Sequence, residues 1–310
     1  MNSPGKPVRA LLADGRWHFQ HGPIDLVIGA EGDPAACRDA HADCWQAFAP
    51  VLENLVRELQ VLRQALPRSA AHAPRLGGPV AQRMVRACLP HAAAGLFITP
   101  MAAVAGSVAD HLIGCYRREG VLRSYINNGG DIALHLSAGQ SWRVGVVAQA
   151  ELPQVDAHLR VDGGSAYRGL ATSGWRGRSL SLGIADSVTV LALDAASADA
   201  AATIIANHVQ VEHPAILRQP ACEVRDHSDL GDLPVTVAVG PLPRSAVELA
   251  LMRGLDCARS LQARGLIACA LLSLAGRWVH SGATHSGETP PARRSAAPLS
   301  LVPTPHMELP

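Results

Sequence analysis

One short segment of the sequence carries an aspartate and a threonine at a spacing that suits a hard cation. Asp199 and Thr203 are four residues apart, so on a helix their side chains lie on one face, one turn from each other. A carboxylate and a hydroxyl in this arrangement can bind Mg²⁺ together with phosphate oxygens and water. The alternative is ordinary helix-start chemistry, in which Ser197 is the cap and the helix dipole favours Asp199. The spacing leaves both interpretations open.

A second segment, Asn127-Asn128-Gly129-Gly130-Asp131, stands between two strand-like stretches. Its two glycines have no Cβ, so their backbone N–H groups can face a ligand directly and φ can be positive. Such a backbone suits a phosphate group or the edge of a nucleobase. The same residues also indicate a hairpin turn, because Asn-Gly is the strongest short-range hairpin signal. The motif alone does not decide between a binding loop and a turn.

A third segment, Ala171-Thr172-Ser173-Gly174, places two hydroxyls and a glycine after a predicted strand. Arg176 and Arg178 follow on either side of a further glycine. Hydroxyls, free N–H groups and guanidinium groups are the usual donors to phosphate oxygens. The alternative is a polar loop whose arginines are solvated.

The composition limits the classes of partner. The chain has 310 residues, of which 48% are hydrophobic, and a formal net charge of +1, so it can bury a substantial core. Aromatic residues make up 4% and no broad basic surface is indicated, so we expect no nucleic-acid partner. We expect a small-molecule nucleotide or cofactor instead. The sequence predicts no particular oligomeric state.

Seven cysteines are present, at wide spacings and without a Cys-x-x-Cys pair. This pattern is typical of a reducing compartment in which most thiols are buried. Cys37, His41 and Cys44 would share one face of a helix and could form a metal trio. We favour the alternative of two half-buried thiols beside a surface histidine.

The stretch 92–109 has no charged residue over 18 positions, which is the lower limit for a membrane-spanning helix. It is rich in alanine and contains glycines and Pro100, which give little insertion energy. We therefore predict a buried strand followed by a buried helix, and no membrane association. Because the first residues show no apolar leader, we expect a cytoplasmic location.

Hydrophobic periodicity predicts an irregular alternation of strands and helices. The predicted strands are 9–12, 16–20, 24–28, 122–127, 131–136, 142–147, 158–161, 167–172, 187–193 and 234–239. The predicted helices are one long helix from Asp33-Pro34 to Pro67, then 80–88, 102–118, 196–208 and 245–274, the last one broken near Gly265. This order indicates an α+β fold with a mostly antiparallel sheet covered by helices.

The domain organisation predicted from these elements is one α+β domain over 1–280, followed by a disordered, proline-rich tail over 281–310. Two segments inside the domain show a weak internal sequence similarity. Residues 97–110 and 188–203 each run from a β-like stretch into an alanine-rich helix that contains an aspartate. A duplicated strand–helix unit, and hence two repeated halves, would explain this likeness, as would alanine-rich composition alone.

The order of the motifs resembles that of the ApbE superfamily, whose best-known members transfer FMN from FAD onto proteins. The family shows Asn-x-Gly-Gly, Ala-Thr-Ser-Gly, Ser-Val-Thr-Val and Ala-Asp-x-x-x-Thr in this order. The matching residues here are 127–131, 171–174, 187–190 and 198–203. The likeness covers about residues 9–275. It is strongest to an uncharacterised, cytoplasmic, UPF-type branch of the superfamily that occurs in bacteria and archaea. The stretches that resemble this branch are 98–110, 127–136, 171–191 and 228–231.

The resemblance implies a T-fold-like architecture, Mg²⁺ and FAD or FMN as cofactors, and a set of site residues. Asp199, Thr203 and the backbone carbonyl of Asp131 would bind the metal. Asn127, Asn128, Gly129 and Gly130, together with Thr172, Ser173 and Gly174, would bind the cofactor. Thr99 and Asp110, near the start and end of a predicted helix, are further candidates.

One departure from the family bears on activity. The transferases carry a Ser-His-x-x-Asp-Pro signature before Ser-Val-Thr-Val, and its histidine is the expected general base. The corresponding residues here include Leu182 in place of that histidine, and leucine cannot accept a proton. Asp110 and Asp186 are the remaining catalytic candidates. The expected function is the binding of a flavin nucleotide together with Mg²⁺. If the protein is a hydrolase it would cleave FAD, and if it is a transferase it would transfer FMN. The alternative is a non-catalytic cofactor-binding or interaction protein.

Overall fold

The computed structural model describes residues 5–147 and 155–282, and the backbone of Leu301–Pro303. These residues form two compact units. The first unit contains the described part of 1–141 together with Arg168–Ala171 and Leu193–Ala200. The second contains the described residues of Trp142–Tyr167, Thr172–Ala192 and 201–310.

Strands and helices alternate irregularly, and the strand pairs with a defined register are all antiparallel. The strands are β1 (Val8–Leu11), β2 (Trp17–His21), β3 (Ile24–Gly32), β4 (Val121–Asn128), β5 (Asp131–Leu136), β6 (Ser141–Val146), β7 (Ala157–Asp162), β8 (Gly169–Ser173), β9 (Ser187–Ala192), β10 (Ile216–Pro220), β11 (Pro234–Val239), β12 (Cys269–Leu274), β13 (Arg277–His280) and β14 (Leu301–Pro303). The helices are α1 (Pro34–Phe48), α2 (Val51–Leu62), α3 (Pro79–Ala93), α4 (Val104–Leu112), α5 (Ala195–His208), α6 (Ala221–Val224) and α7 (Arg244–Ala263). The predicted α+β class with an antiparallel sheet and helices is confirmed.

The first unit is built on antiparallel strands in the order β1-β2-β3-β4-β5, with the start of β8 paired to β5. Every second residue of β3 is buried, at Ile24, Leu26 and Ile28, because alternate side chains of a strand point to the same face. These side chains form one core with residues of α1, α2 and α4 and with Tyr116 of the 3₁₀ turn Ile113–Tyr116. The helices therefore cover one face of this sheet.

The start of the first helix is confirmed, but its predicted length is wrong. Asp33 caps α1, and its carboxylate accepts hydrogen bonds from the N–H groups of Ala35 and Ala36. The helix ends at Phe48 and α2 begins at Val51. Pro50 separates them because it has no N–H for the helical ladder and its ring clashes with the preceding turn. The apolar spacing continues across this break, and for that reason it predicted a single helix.

The stretch 92–109 contains no strand, so the predicted strand–helix pair is wrong in its first half. Residues 94–99 are turn and irregular backbone, followed by a 3₁₀ helix, Pro100–Ala103, and then by α4. Pro100 cannot donate to a sheet ladder and suits the first turn of a helix. Among the described residues, no helix is long and apolar enough to cross a membrane.

The second unit contains the antiparallel pair β10-β11, a three-stranded group in the order β14-β7-β6 in which β14 and β7 are antiparallel, and the antiparallel strands β9-β12-β13. Strands β10 and β13 were not predicted. Strand β12 lies where the second half of the predicted helix 245–274 was expected. Helix α7 ends at Ala263, Gly265 has a φ of 72°, and the apolar run that follows pairs with β9 from Cys269↔Leu191 onward. A short buried apolar run has no periodicity that separates strand from helix.

The predictions on domain organisation remain predictions. They comprise the single domain over 1–280 and the repeat of two halves. The predicted tail 281–310 lies largely outside the described residues. Within it the structure describes Ser281, Gly282 and the backbone of Leu301–Pro303, which forms β14 and pairs with β7.

Candidate functional site

The tip of the β4–β5 hairpin carries the Asn-Asn-Gly-Gly-Asp motif. Asn128 pairs with Asp131 across a two-residue turn, in which Gly129 and Gly130 have φ values of 66° and 113°. The Asn127 Oδ1 accepts a hydrogen bond of 2.8 Å from the N–H of Gly130. The hairpin interpretation is therefore correct for the backbone. The glycines are required by their positive φ, since a Cβ on either would meet no described atom within 4 Å.

The hairpin is fixed to the start of α4 by a buried side chain. The Asn128 Nδ2 donates a hydrogen bond of 3.1 Å to the backbone carbonyl of Ala105. Thr99, which is 2% exposed, lies just before the 3₁₀ helix that leads into α4. Its carbonyl accepts a hydrogen bond from the Cys88 thiol at 3.5 Å. Burial, and then the charge of Asp199, raise the pKa of Cys88, which places Thr99, Cys88 and Asp199 in one neighbourhood.

The N-terminal turns of α4 and α5 touch at a glycine. A Cβ built on Gly106 would lie 2.2 Å from the carbonyl oxygen of Ala195, a distance that no side chain tolerates. Only glycine therefore allows the two helix starts to come this close. The contact lies within the first unit.

A carboxylate from α4 holds the start of α5. Asp110 accepts hydrogen bonds from the N–H groups of Ala195 at 3.1 Å and Ala196 at 2.8 Å, one on each oxygen. Asp194 caps the same helix and accepts from Ser197 N–H at 2.8 Å, so Ser197 is not the cap that the sequence predicted. Burial, and then the charge of Asp194, raise the pKa of Asp110 to about 6. Helix N-termini favour such negative charges.

A carboxylate from α5 holds the start of α4 in return. The Asp199 Oδ2 accepts a hydrogen bond of 3.0 Å from the N–H of Gly106, and the N–H of Ala105 also donates to this carboxylate. Asp199 is in side-chain hydrogen-bond contact with Asp131. Burial, followed by the charge of Asp110, raises its pKa to about 7 against the two backbone donors and the hydrogen bond with Asp131.

Asp131 and Asp199 form the feature of the site that points most directly to a ligand. Ionised carboxylates only accept hydrogen bonds, so two of them in contact must share either a proton or a cation. Mg²⁺ prefers oxygen ligands and is bound by one or two carboxylates together with water and substrate oxygens. The two side chains therefore fit such an ion, and a shared proton is the alternative in its absence.

The remaining metal candidate lies further along the same helix. Thr203 follows Asp199 by one turn of α5 and is half-buried; it belongs to the residues of the second unit. Among the described residues, no group of three or more His, Cys, Asp and Glu side chains could hold a metal ion. Cys37, His41 and Cys44 are among the described residues to which this applies. A cation at Asp131 and Asp199 would need hydroxyl, carbonyl or ligand oxygens to complete its coordination.

The Thr-Ser-Gly loop lies in the second unit, at the end of β8. The Thr172 Oγ1 lies 2.9 Å from the Thr189 Oγ1 of β9. A Cβ on Gly174 would lie 2.4 Å from the carbonyl oxygen of Asp186, so the loop needs glycine to pass this segment. Ser173, which lies between Thr172 and Gly174 in the sequence, is half-buried. The assignment of Thr172, Ser173 and Gly174 to a cofactor stays a prediction.

Asp186, one of the two catalytic candidates, has a partner on each carboxylate oxygen. Arg176 Nε donates to Oδ1 at 2.8 Å and the backbone N–H of Ala275 donates to Oδ2 at 2.7 Å. The Arg176 guanidinium also lies 4.7 Å from the ring centre of Trp175, and its side chain remains exposed to solvent, so the polar-loop interpretation stays open. Asp110 likewise has both oxygens engaged. Catalysis by either aspartate stays a prediction, but each has a structural task.

Leu182, at the position of the family's histidine, is part of a closely packed segment in the second unit. Its N–H donates a hydrogen bond of 3.0 Å to the Asn207 Oδ1. A Cβ on the next residue, Gly183, would lie 2.0 Å from the carbonyl oxygen of Ala206. The backbone is therefore held by the end of α5, and the side chain at position 182 contributes no titratable group.

The structure adds residues that the motifs did not identify. The backbone N–H groups of Ala105 and Gly106 and the carboxylate of Asp194 all belong to the α4–α5 contact. The Asp194 cap could have been found, because an aspartate just before a helix is a common N-cap. The partners of Asp110 could not, since they are 85 and 86 residues away in sequence. A small cleft lined in part by Glu58 and His111 contains none of the predicted site residues.

Comparison with known proteins gives one family. The family model described as AbpE bacteria matches residues 9–280. Curated relatives called UPF0280 protein include one from Methanosphaerula palustris, 38% identical over 45% of this chain and 56% of the relative. A second, from Methanosarcina acetivorans, is 30% identical over 68% of this chain and 78% of the relative. Against the first of these, the chain spans just over half of the relative's length.

Solved structures give weaker likenesses. The flavinyl transferase ApbE of Pseudomonas stutzeri, in its apo form, is 11% identical, with a TM-score of 0.44 over 98% of this chain and 95% of that one. The flavin transferase ApbE of Vibrio cholerae is 13% identical, with a TM-score of 0.40 over 87% and 94%. At these TM-scores the likenesses support no conclusion about ligand or activity.

Proposed function

Because the chain belongs to the bacterial AbpE family, we propose that it binds a flavin nucleotide, or a similar cofactor with a diphosphate group, together with Mg²⁺. The family identified from the sequence motifs is confirmed by the match over residues 9–280. FAD or FMN as the ligand and Mg²⁺ as the ion are proposals, supported by the family and by the residues of the first unit.

The contact between the carboxylates of Asp131 and Asp199 carries this proposal. The pKa of Asp199 is raised to about 7 by burial and by the nearby charge of Asp110, so the ionised form is costly without a compensating cation. A magnesium ion would neutralise both carboxylates and, when bound, would hold and polarise phosphate oxygens. Thr203 and the carbonyl of Asp131 are proposed as further ligands.

The chain's own residues would place the ion rather than move protons. The N–H groups of Ala105 and Gly106 fix the orientation of Asp199, and the amide of Asn128 ties the hairpin tip to the same segment. The glycine turn leaves open space before the hairpin tip among the described residues. The hydroxyls of Thr172 and Ser173 are proposed as donors to the ligand phosphates.

A catalytic step is proposed only in general form. If the protein is an enzyme, it cleaves or transfers at the phosphoanhydride of a flavin dinucleotide, with the metal site stabilising the developing charge. The second candidate is a cofactor-binding or interaction protein without turnover. Leu182 in place of a titratable side chain favours this second candidate, as do the structural partners of Asp110 and Asp186. A cytoplasmic location, with no membrane or nucleic-acid partner, remains part of the proposal.

Calorimetric titration of the full chain with FAD and with FMN, each with and without Mg²⁺, tests the proposal. The variant Asp199→Asn keeps an acceptor for the N–H of Gly106 and removes the charge. The matched control is Asp194→Asn, because asparagine caps a helix as well as aspartate does. We expect Mg²⁺-dependent binding that Asp199→Asn weakens at least tenfold and Asp194→Asn retains.

The possible results separate the parts of the proposal. Absence of flavin binding in both conditions would refute the flavin assignment. A flavin affinity that changes neither with Mg²⁺ nor in Asp199→Asn would refute the metal site. Incubation of the bound complex followed by chromatography for FMN and AMP then distinguishes FAD cleavage from binding without turnover.

A further inference from the structure

Three cysteines, a histidine and a tyrosine gather where α1 packs against the 3₁₀ turn Ile113–Tyr116. Cys44 lies on the buried face of α1 and is fully buried, as is Tyr116. Cys37 and Cys115 are partly exposed and pack against the same core. The whole group, which we call the thiol cluster (Cys37, His41, Cys44, Cys115 and Tyr116), lies in the first unit. None of its members belongs to the proposed cofactor site.

Hydrogen bonds connect four of these side chains in a row. The thiols of Cys44 and Cys115 are in hydrogen-bond contact, although the two residues are far apart in sequence. The Tyr116 hydroxyl contacts the sulfur of Cys44, and its oxygen lies 2.6 Å from the His41 Nδ1. The fold thus brings a buried thiol and a partly exposed thiol together and surrounds the buried one with proton-bearing groups.

The electrostatics of the pair assign different states to the two thiols. The hydrogen bond from Cys44 lowers the pKa of Cys115 to about 7, with help from the charge of Arg118 and against burial and Asp43. The contact with Cys115, and then burial, raise the pKa of Cys44. Within the pair, negative charge is therefore favoured on the partly exposed Cys115 and the proton on the buried Cys44. A partly exposed thiol whose pKa is lowered by a hydrogen-bond donor is the environment of a reactive cysteine.

The other described thiols differ from Cys115. Cys222 is fully exposed, but its Sγ donates to the Asp232 Oδ1 at 3.3 Å, and this contact raises its pKa. Burial raises the pKa of Cys88, Cys257 and Cys269. The cluster is not a metal site of three or more His, Cys, Asp and Glu ligands, since no such group occurs among the described residues.

We propose that Cys115 and Cys44 form a reversible, hydroperoxide-reactive dithiol, with Cys115 as the attacking thiolate and Cys44 as the resolving thiol. The Cys115 sulfur attacks the hydroxyl oxygen of the hydroperoxide; the S–O bond forms, the O–O bond breaks, and the alkoxide or hydroxide that leaves takes a proton from solvent. Sulfur is oxidised to the sulfenic acid and the peroxide is reduced. The Cys44 sulfur then attacks the Cys115 sulfur, and the thiol proton leaves with the hydroxyl group as water.

The product is a disulfide that joins α1 to the turn Ile113–Tyr116. The contact of the Tyr116 hydroxyl with the Cys44 sulfur stabilises negative charge there during the second step, which compensates for the raised pKa of the buried thiol. Because both thiols are already in contact, the second step needs no large rearrangement of the backbone. A transient bond of this kind is compatible with a reducing compartment.

Peptide mapping of the oxidised full chain tests the proposal. The protein is treated with hydrogen peroxide, remaining thiols are alkylated, and a tryptic digest is analysed without reduction. Cleavage after Arg38 separates Cys37 from Cys44, and fragment spectra separate Cys115 from Cys88 on the peptide between Arg86 and Arg117. We expect a Cys44–Cys115 crosslink that a thiol reductant reverses. A crosslink to Cys37 or Cys88, or no crosslink, overturns the proposal.

Variants separate the roles of the two thiols. In Cys44→Ser we expect Cys115 to stop at the sulfenic acid, which a 1,3-dione traps; trapping at another cysteine overturns the assignment. In Cys115→Ser we expect no crosslink, whereas Cys222→Ser, the control at an exposed thiol, crosslinks like the wild type. The reaction of the unmodified protein with iodoacetamide at pH 7 needs no variant. We expect Cys115 to react about tenfold faster than Cys222, because it is thiolate to a much larger extent, and the reverse order contradicts the proposal.

Discussion

Asp110 and Asp199 hold the N-termini of each other's helices but stand in different surroundings. Asp110 is 7% exposed and gives one oxygen to each of two backbone N–H groups at the start of α5. Asp199 receives N–H groups from the start of α4 and also touches the carboxylate of Asp131. Each carboxylate accepts from two backbone N–H groups, but only Asp199 also touches a second carboxylate. The difference indicates that one is structural and the other can bind a cation.

Gly106 lies at the contact between the starts of α4 and α5, on which both carboxylates depend. Its replacement should have the largest effect on the free energy of unfolding. In Gly106→Ala the new Cβ would meet the carbonyl of Ala195, so the helix starts must separate and both carboxylates lose their partners. We expect a loss of about 3 kcal/mol in the free energy of unfolding, measured by urea titration.

Gly114→Ala is the control for this change, because a Cβ at Gly114 meets no described atom within 4 Å. We expect a change within about 0.5 kcal/mol. Equal effects of the two substitutions would mean that the α4–α5 contact is not as close as described.

The pair Asp110→Asn and Asp199→Asn contrasts the two carboxylates directly. In Asp110→Asn one acceptor becomes an NH₂ group that faces a backbone N–H, so we expect a loss of about 2 kcal/mol. In Asp199→Asn the remaining carbonyl can still accept from Gly106, and the new NH₂ group can donate to the carboxylate of Asp131. We expect a loss of under about 1 kcal/mol at pH 8 by urea titration. The opposite order would contradict the assignment of roles.

The pH dependence of stability sharpens the same comparison. A carboxyl group whose pKa is raised in the folded state binds more protons there than in the unfolded state, so stability falls as pH rises from about 4 to about 7. The pKa of Asp199 is raised from 3.8 to about 7. We expect the wild type to lose on the order of 2 kcal/mol more than Asp199→Asn between pH 5 and pH 8. Parallel curves for the two proteins would contradict a raised pKa at Asp199.

Asp194→Asn should have the smallest effect. Asparagine is as good an N-cap as aspartate, and the change removes a charge that raises the pKa of Asp110. We expect the free energy of unfolding at pH 8 to stay within about 0.5 kcal/mol of the wild type. A large loss would show that the charge of Asp194, and not its cap, stabilises the start of α5.

Local signals in the sequence predicted much of the fold. Asp33-Pro34 predicted the start of α1, and Asn-Gly predicted the β4–β5 turn, because the chemistry of each acts within a few residues. The break at Pro50 was missed because the apolar pattern of the helix continues through it. Strand β12 was missed because a short apolar run does not distinguish a strand from a helix. These errors arise where packing decides among locally similar alternatives.

The candidate site was predictable only in part for a related reason. Asp131 and Asp199 were identified by motif order, but their contact depends on residues about seventy positions apart. The partners of Asp110, and the pairing of Cys44 with Cys115, likewise depend on tertiary contacts that no local pattern encodes. The sequence therefore named the side chains of the site better than it named their neighbours.

The response of stability to Mg²⁺ alone is the most direct test of the difference between Asp110 and Asp199. Urea unfolding at pH 8 is compared with and without Mg²⁺ in the wild type, Asp110→Asn and Asp199→Asn. An ion at tenfold its dissociation constant stabilises the folded state by about 1.4 kcal/mol. We predict this gain in the wild type and in the less stable Asp110→Asn, and its loss in Asp199→Asn. An equal gain in Asp199→Asn, or no gain in the wild type, would contradict a cation site at Asp131 and Asp199.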